Sequence, residues 1–331
     1  MSLLTYISIA RKVYGELNTQ KKFNKSFLTP YLYELEERHN GKFQPEQKNK
    51  ILKYYGLFIT SFLCSSYKRL YGKALTDGER RRATLFGILT PVGDDLFDID
   101  KLGITDIRTI TFTPEAYHAT TFSAAVAKEI QTFLLGHVPF KKEYLEASKN
   151  VLDIQVETIK QTKPTLSRQE TERITYTKGA VSVIIYHQCL DDVASHQMLE
   201  ALFYIGSLYQ LGNDIFDLYK DVRDNIYTLV NTCDDFIAFR KSFVERVRAQ
   251  NRRIMALPYK QKNKKEFCII INTINARSLV ALDQFVTLQK KLGGKKINWW
   301  KLERKDMITD MEKKRNLLRW FNYALMLPKW K

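Results

Sequence analysis

The sequence predicts an all-α protein, and three observations lead to this prediction. Glycine and proline number only 14 and 8 in 331 residues, which is few for the many tight turns of an all-β protein. Apolar residues recur at three- and four-residue spacing along nearly the whole chain, as in amphipathic helices. Hydrophobic residues make up 44 % of the chain, enough for a large core. No linker or internal repeat divides the sequence, so we expect one domain, a helical bundle, over residues 1–331.

Helical spacing begins near the N-terminus and is interrupted where turn-forming residues occur. Gly41 and Pro45 separate the second predicted helix from the third, and the run Thr76-Asp77-Gly78 precedes the fourth. Residues 104–122 differ, because Thr and Ile alternate there around a proline, and we expect a long loop. The helices predicted in this half of the chain are 4–20, 27–39, 47–72, 77–98 and 122–136.

Prolines and glycines also mark the helix ends in the second half. Pro139, Pro164 and Pro258 fall at or near breaks in the helical spacing, and so does the pair Gly293-Gly294. The helices predicted in this half are 141–162, 169–190, 194–224, 233–256, 264–291 and 297–326.

The composition limits the partners and the compartment without selecting a function. With 53 Lys+Arg and 36 Asp+Glu the formal net charge is +17, which suits nucleic acid, an anionic membrane or a phosphorylated small molecule. The four cysteines are far apart, as expected of free thiols in a reducing compartment. The start of the sequence lacks the pattern of a secretory signal, and no run of about 18 apolar residues occurs. We therefore expect a cytoplasmic protein.

A run of aspartates ends the predicted helix 77–98. Asp94 and Asp98 are four residues apart, so their carboxylates share one helix face, with Asp95 beside them. Like charges at this spacing repel, and the helix dipole disfavours anions at a C-terminal end. A solvated acidic helix end would explain this run taken alone. The same face continues back through small residues such as Gly87, which predicts open space beside the carboxylates.

A second acidic run lies in the predicted helix 194–224. Asp214, Asp217 and Asp221 are spaced i, i+3 and i+7, so they form one stripe, which Ser207 and Gln210 continue. Three carboxylates in line on an otherwise apolar helix are costly without a cation, and hard oxygen ligands suit Mg²⁺. Two such helices that face each other would hold a diphosphate through several Mg²⁺ ions. Together the two runs predict a metal-dependent diphosphate site.

Both acidic runs resemble the metal-binding motifs of class I isoprenoid synthases. The run Asp94-Asp95-Leu96-Phe97-Asp98 resembles their DDxxD motif. The run that begins at Asn213 resembles their second motif, with Asp217 at the Ser/Thr position and Asp221 at the Glu position. Lys220 matches the lysine that often precedes the last ligand.

The segments before the second motif extend this resemblance. Gly206-x-x-x-Gln210 is similar to the lead-in of prenyl diphosphate synthases. Lys178-Gly179-Ala180-Val181-Ser182-Val183 is similar to the K-G-x-x-S-V stretch of large-terpene synthases of the tetraprenyl-β-curcumene type and their bacterial relatives. The resemblance covers residues 50–230 and implies a class I isoprenoid synthase-like helical bundle around a central cavity.

The resemblance implies a Mg²⁺-dependent terpene synthase that ionises a linear prenyl diphosphate. The carbocation would cyclise, lose a proton or capture water, and diphosphate would be released. The implied ligands of three Mg²⁺ ions are Asp94, Asp98, Asn213, Asp217 and Asp221, with Asp95 and Asp214 completing the catalytic set. The implied diphosphate-binding side chains are Lys220, Lys178, Arg173 and Arg168. The residues expected to line the cavity are Gly87, Phe62, Tyr186, Phe203, Ser207 and Gln210.

Two other functions stay open. Asp217 at the Ser/Thr position is closer to the all-aspartate pattern of prenyltransferases, which join isoprenoid units. A non-catalytic, basic helical binding protein is the second alternative. We expect no nucleic-acid partner, because two aspartate runs would face phosphate with the wrong sign of charge.

The C-terminal residues 291–331 are basic and rich in tryptophan. They contain 12 Lys+Arg and 4 Asp+Glu, together with all four tryptophans, Trp299, Trp300, Trp320 and Trp330. Tryptophan beside basic residues is typical of surfaces that meet anionic lipid, which indicates peripheral membrane contact. Packing of the tryptophans into the bundle is the alternative.

Overall fold

In the computed structural model, which describes residues 3–330, the protein is all-helical. Helices account for 78 % of it, and the described residues contain no β-strand. The predicted all-α fold is therefore confirmed. The α-helices are α1 (Leu3–Phe23), α2 (Thr29–Arg38), α3 (Pro45–Asn49), α4 (Ser65–Leu70), α5 (Asp77–Asp98), α6 (Ile104–Phe112), α7 (Phe122–His137), α8 (Lys141–Thr158), α9 (Arg168–Gln188), α10 (His196–Phe216), α11 (Leu218–Arg223), α12 (Phe236–Ala256), α13 (Gln261–Lys291), α14 (Arg304–Met307) and α15 (Lys314–Met326). Two further segments, Asn24–Leu28 and Lys50–Cys64, are π-helical.

The chain forms two compact units. The first unit consists of Met1–Lys149 and Ile185–Val193, and the second of Asn150–Ile184 and Ala194–Lys331. The single domain over 1–331 stays a prediction.

The helix α5 of the first unit begins with a reciprocal cap. The Thr76 hydroxyl accepts a hydrogen bond from the backbone N–H of Glu79, whose carboxylate accepts one from the backbone N–H of Thr76. This capping box satisfies two backbone donors that would otherwise lack partners. The helix then packs against the π-helical segment Lys50–Cys64. A Cβ atom at Gly87 would lie 3.1 Å from the Cβ atom of Tyr55, so the absence of a side chain allows this close approach.

A network of charged side chains is buried in the first unit. The Lys68 ammonium lies 2.5 Å from the carboxylate of Glu79 and also contacts Asp192. Burial by itself would raise the pKa of Glu79, but hydrogen bonds from Lys68 and from two backbone N–H groups outweigh it and leave the pKa lowered. We call Lys68, Glu79 and Asp192 the ion-pair network. It holds the segment Ile185–Val193 to α4 and α5 within this unit.

His187 is buried next to this network. Its Nε2 atom lies 2.5 Å from the Tyr71 hydroxyl. Burial lowers the pKa of His187 to about 4, and the nearby Lys68 also lowers it, although Asp192 and Glu79 act in the opposite direction. The imidazole is therefore neutral near pH 7.

The expected long loop over residues 104–122 was wrong for its first half. The segment contains α6, and a short 3₁₀ turn, Pro114–Ala116, follows before α7 begins at Phe122. The buried pair in α6 is Ile107 and Ile110, three residues apart, which is helical spacing. The threonines that suggested an extended chain lie on the helix, where the Thr111 hydroxyl donates to the carbonyl oxygen of Ile107 at 2.7 Å.

The second unit has its core around α12 and α13. Phe236, Phe285 and Trp299 meet edge to face there, with ring centroids 5.2 to 5.6 Å apart. The predicted helix 297–326 is instead a 3₁₀ turn, Trp299–Lys301, followed by α14 and α15. Asp310 contributes to the interruption: its carboxylate accepts from the backbone N–H of Glu312, and its carbonyl oxygen accepts from the Asn316 side chain.

The four cysteines and the hydropathy of the helices agree with the sequence-based expectations. Cys64, Cys189, Cys233 and Cys268 are buried free thiols. Among residues 3–330, none of the helices combines the length and apolar character that crossing a bilayer requires.

Candidate functional site

The second acidic run lies where α10 ends and α11 begins. The predicted continuous helix 194–224 is interrupted at Asp217, which lies between the two helices. The helical hydrogen bonds nevertheless continue through this point. The N–H of Asp217 donates to the carbonyl oxygen of Asn213 at 2.7 Å, and the N–H of Asp221 donates to that of Asp217 at 2.9 Å. Asp214, Asp217 and Asp221, which we call the acidic cluster, therefore stay on consecutive turns.

Asp214 is buried, and both of its carboxylate oxygens accept hydrogen bonds. Gln210 Nε2 donates to one oxygen at 2.8 Å, and the Thr175 hydroxyl lies 3.4 Å from the other. Burial raises the pKa of Asp214 to about 6, and the hydrogen bonds counteract part of this rise. These two contacts fix the orientation of the Asp214 carboxylate, and each uses one of its two oxygens as the acceptor.

The pKa of Asp221 is raised further than that of Asp214. Burial raises the pKa of Asp221 to about 8, and the charges of Asp214 and Asp217 add to the rise. Lys220 and Lys178 oppose it. The cluster therefore concentrates negative charge in a partly buried place, where a bound cation would be favourable.

A close helix crossing places α9 beside α10 within the second unit. A Cβ atom at Gly179 would lie 2.0 Å from the carbonyl oxygen of Gly206, and one at Gly206 would lie 2.2 Å from that of Gly179. No side chain fits at either position, so the two backbones touch. Ser207, next to this crossing, donates from its hydroxyl to the carbonyl oxygen of Phe203 at 2.6 Å and lies 3.2 Å from that of Tyr176. The crossing brings Lys178 and Thr175 of α9 to the acidic cluster.

The four basic residues expected to bind diphosphate have different surroundings. Lys178 and Lys220 are close enough to the acidic cluster to lower the pKa of Asp221. Arg173 instead forms an ion pair with Glu157, and Arg168 lies 3.5 Å from Glu172 at the surface. The structure therefore brings the two lysines to the cluster and engages the two arginines with glutamates of the same unit.

Sequence reasoning missed two residues, Thr175 at the acidic cluster and Arg246 against Tyr176 of α9. Thr175 lies one helical turn before Lys178, and that spacing is a signal that would have identified it. Arg246 comes from α12, and its guanidinium lies 3.5 Å from the ring centroid of Tyr176. The buried Nε atom of Arg246 has no hydrogen-bond partner among the described residues. No spacing in the sequence links Arg246 to the motif.

The first acidic run belongs to the first unit and is more exposed. As predicted, α5 extends to Asp98, so Asp94 and Asp98 are one turn apart, and both are exposed. Asp95 is half-buried and accepts a hydrogen bond from Gln47 Nε2 at 2.5 Å. Burial raises the pKa of Asp95; Gln47 opposes this, whereas the charges of Asp100 and Asp98 add to it.

The residues expected to line a cavity are placed in ordinary packing. Beside Gly87, Tyr55 fills the space that was expected to be open. Phe62 is buried and stacks on Phe58 with centroids 5.0 Å apart, and the buried Tyr186 ring stands edge-on to Phe86 at the same distance. In the second unit, Phe203 is partly exposed, while Ser207 and Gln210 hydrogen-bond to groups of α9 and α10.

The expected metal ligands belong to different units. Within residues 3–330, no group of three His, Cys, Asp or Glu side chains is placed to hold a metal ion. Mg²⁺ is commonly held by one or two carboxylates together with substrate phosphates and water. The hard oxygen donors of Asn213, Asp217 and Asp221 fit that chemistry.

No protein-family model matches the chain, and no curated protein matches it.

Proposed function

We propose that the protein is a class I terpene synthase, which converts a linear prenyl diphosphate into a hydrocarbon or an alcohol and releases diphosphate. The observation that carries this proposal is the acidic cluster. It places the buried Asp214, the exposed Asp217 and the half-buried Asp221 on consecutive turns at a helix junction, close to Lys178 and Lys220. Like charges in such a place destabilise the protein unless protonation or a bound cation relieves them, so the cluster is suited to binding a cation.

The proposed cofactor is Mg²⁺, in three ions. Asn213, Asp217 and Asp221 would hold metal in the second unit, and Asp94 and Asp98 in the first. Asp214 would instead position its neighbours, because Gln210 and Thr175 already occupy its oxygens. When bound, Mg²⁺ neutralises the diphosphate and makes it a better leaving group.

The protein's own cations would assist the departure of diphosphate. The carbon–oxygen bond of the substrate breaks, and both electrons stay with the diphosphate oxygen. Lys178 and Lys220 would stabilise the negative charge that develops there. Arg173 and Arg168 would have to exchange their glutamate partners for the diphosphate in order to contribute.

The carbocation that remains would lose a proton, cyclise or take up water. Faces of aromatic rings stabilise cations and exclude water. The rings proposed for this role are Phe62 and Tyr186 in the first unit and Phe203 in the second, and Gly87, Ser207 and Gln210 are further proposed contacts within their own units.

The proposal is tested by incubating the protein with Mg²⁺ and prenyl diphosphates of increasing chain length. The measurements are release of diphosphate and the product mass. We expect Asp221→Asn to lower the turnover by about a thousandfold, which corresponds to about 4 kcal/mol of barrier. Asp224→Asn is the matched control, because Asp224 lies three residues further on, is exposed and pairs with Arg223. We expect this variant to keep wild-type turnover within about threefold. No turnover of any chain length with Mg²⁺ present would refute the proposal.

A prenyltransferase is the second candidate, because the sequence has Asp217 where terpene synthases carry Ser or Thr. Adding isopentenyl diphosphate to the same incubation separates the two. A product longer by one isoprenoid unit would assign a prenyltransferase, and the same product with or without this addition would assign a terpene synthase.

The location and the remaining partners are also proposals. We propose a cytoplasmic protein without a nucleic-acid partner, because the aspartate runs would repel a phosphate backbone. We also propose peripheral membrane contact through the C-terminal region.

A further inference from the structure

The last α-helix of the second unit has a buried face and an exposed apolar face. On the buried side, Trp320, Tyr323 and Ala324 pack into the core of the unit. On its other side α15 leaves Leu317 at 45 %, Leu318 at 66 % and Phe321 at 45 % exposure, and Met326, its last residue, is also exposed. At 100° per residue the first three fall within one sector of the helix, so they form a continuous stripe. We call them the apolar stripe.

The charged side chains of α15 all have one sign. Between residues 313 and 329 the chain carries five basic residues and no acidic one. Lys314 falls within the same sector as the apolar stripe, and Arg315 and Arg319 lie beyond its edge. Lys313 and Arg315 are exposed as well. An apolar stripe bordered by cations is typical of helices that lie in the interface of an anionic bilayer.

A shallow groove between α12 and α13 meets the buried face of α15 at Tyr323. Its lining consists of Ile237, Arg240, Lys241, Val244, Glu245, Arg248, Val286 and Lys290. Arg240 donates to the hydroxyl of Tyr323 at 2.8 Å, and the Arg248 guanidinium lies 5.9 Å from the ring centroid of Trp330. Asp283 and Glu245 pair with these arginines. Lys241 and Lys290 also line this groove.

The tryptophans contribute less to this surface than the sequence suggested. Trp299 is fully buried, and Trp320 donates its indole N–H to the carbonyl oxygen of Thr273 at 2.8 Å. Both therefore serve the core of the second unit. Trp300 is exposed but lies outside α15, whose exposed stripe consists of aliphatic and phenyl side chains.

We propose that α15 binds the surface of an anionic lipid bilayer. The apolar stripe enters the boundary between headgroups and acyl chains, while Lys313, Lys314, Arg315 and Arg319 contact the headgroup phosphates. This inference assigns the membrane contact to a particular helix, and it does not depend on the chemistry proposed for the acidic cluster.

The test is co-sedimentation of the full-length protein with vesicles, without substrate or Mg²⁺. One set contains phosphatidylcholine alone, and the other contains about one third phosphatidylglycerol. We expect binding to the anionic vesicles that weakens as salt is raised, and little binding to the neutral ones. The variant Leu318→Ser/Phe321→Ser should bind anionic vesicles at least about tenfold more weakly, because it loses two apolar side chains. Lys314→Glu/Arg315→Glu should have a similar effect.

Controls separate lipid binding from misfolding and self-association. Ile159→Ser removes an apolar side chain that is 61 % exposed on another part of the same unit, and it should bind like the wild type. Thermal unfolding should show that the variants stay folded. Equal sedimentation of wild type and the stripe variant, or no sedimentation of either, would overturn the proposal. So would a dimer of the wild type that the stripe variant abolishes, because the stripe would then bind a second copy. Turnover of a short prenyl diphosphate tests the function separately.

Discussion

Both compact units bury ionisable side chains, and they surround them differently. In the first unit, Lys68 lies between two carboxylates, and the hydrogen bonds it makes leave the pKa of Glu79 lowered. In the second unit, Asp214 and Asp217 add to the rise in the pKa of Asp221. With Lys73, which also contacts Asp192, two cations face two carboxylates in the first unit, and such a set is stable without a ligand. A set of like charges is instead relieved by protonation, as the raised pKa of Asp221 indicates, or by a bound cation. The first arrangement therefore serves the fold, and the second is suited to binding.

The first acidic run differs from both of these clusters. Asp94 and Asp98 are exposed, so water screens their repulsion and they cost little stability. Motif resemblance alone gives the two runs equal weight. The two runs differ in burial, because Asp214 is buried whereas Asp94 and Asp98 are exposed. Substitutions in each run measure the resulting difference in stability.

The largest expected effect on stability comes from removing the central cation of the ion-pair network. Lys68→Met leaves Glu79 and Asp192 buried without it, so we expect the free energy of unfolding to fall by about 4 kcal/mol. Guanidinium denaturation measures this change. Lys73→Met is the control, because Lys73 also contacts Asp192 but is exposed, and it should cost less than about 1 kcal/mol. Equal losses in the two variants would contradict the structural role of the network.

The next effect is the dependence of stability on pH. Burial lowers the pKa of His187 from its ordinary value of 6.5 to about 4 in the folded protein, so the unfolded chain binds a proton more readily between these values. Stability should therefore fall as the pH is lowered from about 6.5 to 4, by up to about 3 kcal/mol. Urea denaturation across this pH range measures the fall in the free energy of unfolding, and His187→Gln should make that fall smaller. His196→Gln, at an exposed site on α10, should leave it unchanged.

A smaller effect of opposite sign is expected in the acidic cluster. Asp221→Asn removes a crowded carboxylate, so in the absence of metal it should stabilise the protein by about 2 kcal/mol. The sign follows from the raised pKa: the penalty of the carboxylate grows as the pH rises towards about 8, and the gain should be largest there. Thermal unfolding measures it.

The same variant tests cation binding without turnover. Mg²⁺ with inorganic diphosphate should raise the Tm of the wild type but not that of Asp221→Asn. A destabilised variant, or one that responds to Mg²⁺ as the wild type does, would show that the acidic cluster is a structural feature.

The smallest effect is expected in the first acidic run. Asp98→Asn alters an exposed carboxylate at the end of α5, and the free energy of unfolding should change by less than about 0.5 kcal/mol. The expected order of the three substitutions is a large loss for Lys68→Met, a gain for Asp221→Asn and almost no change for Asp98→Asn. Any other order of the three changes in unfolding free energy would contradict the distinction between the ion-pair network, the acidic cluster and the first acidic run.

Local features of the fold could be predicted from the sequence. The helix α5 was predicted with both of its ends, because the turn residues Thr76-Asp77-Gly78 mark its start and the apolar spacing continues to Asp98; the structure adds the cap between Thr76 and Glu79. The helix α6 was missed, because alternating Thr and Ile resemble an extended chain, although Ile107 and Ile110 have helical spacing. The helix break at Asp217 was not predicted, because no glycine or proline lies at that position.

The surroundings of the candidate site were less predictable than its acidic residues. The spacing of Asp214, Asp217 and Asp221 is local, so the sequence identifies the run. The contact between Thr175 and Asp214 joins two helices, and the ion pair between Lys68 and Asp192 spans 124 residues. Periodicity describes which face of a helix is apolar, but it does not identify the partner of a polar side chain on another helix.

The crossing of Gly179 and Gly206 also fixes the axial register of two helices. A Cβ atom at position 179 or 206 would meet the backbone of the other helix, so the two backbones touch only where both residues are glycine. The two helices can touch in one register, and in that register Thr175 lies opposite Asp214. Gly179→Ala would therefore displace α9 against α10. The substitution changes no charge and no hydrogen-bonding group. The placement of the buried carboxylate depends on two positions that carry no side chain.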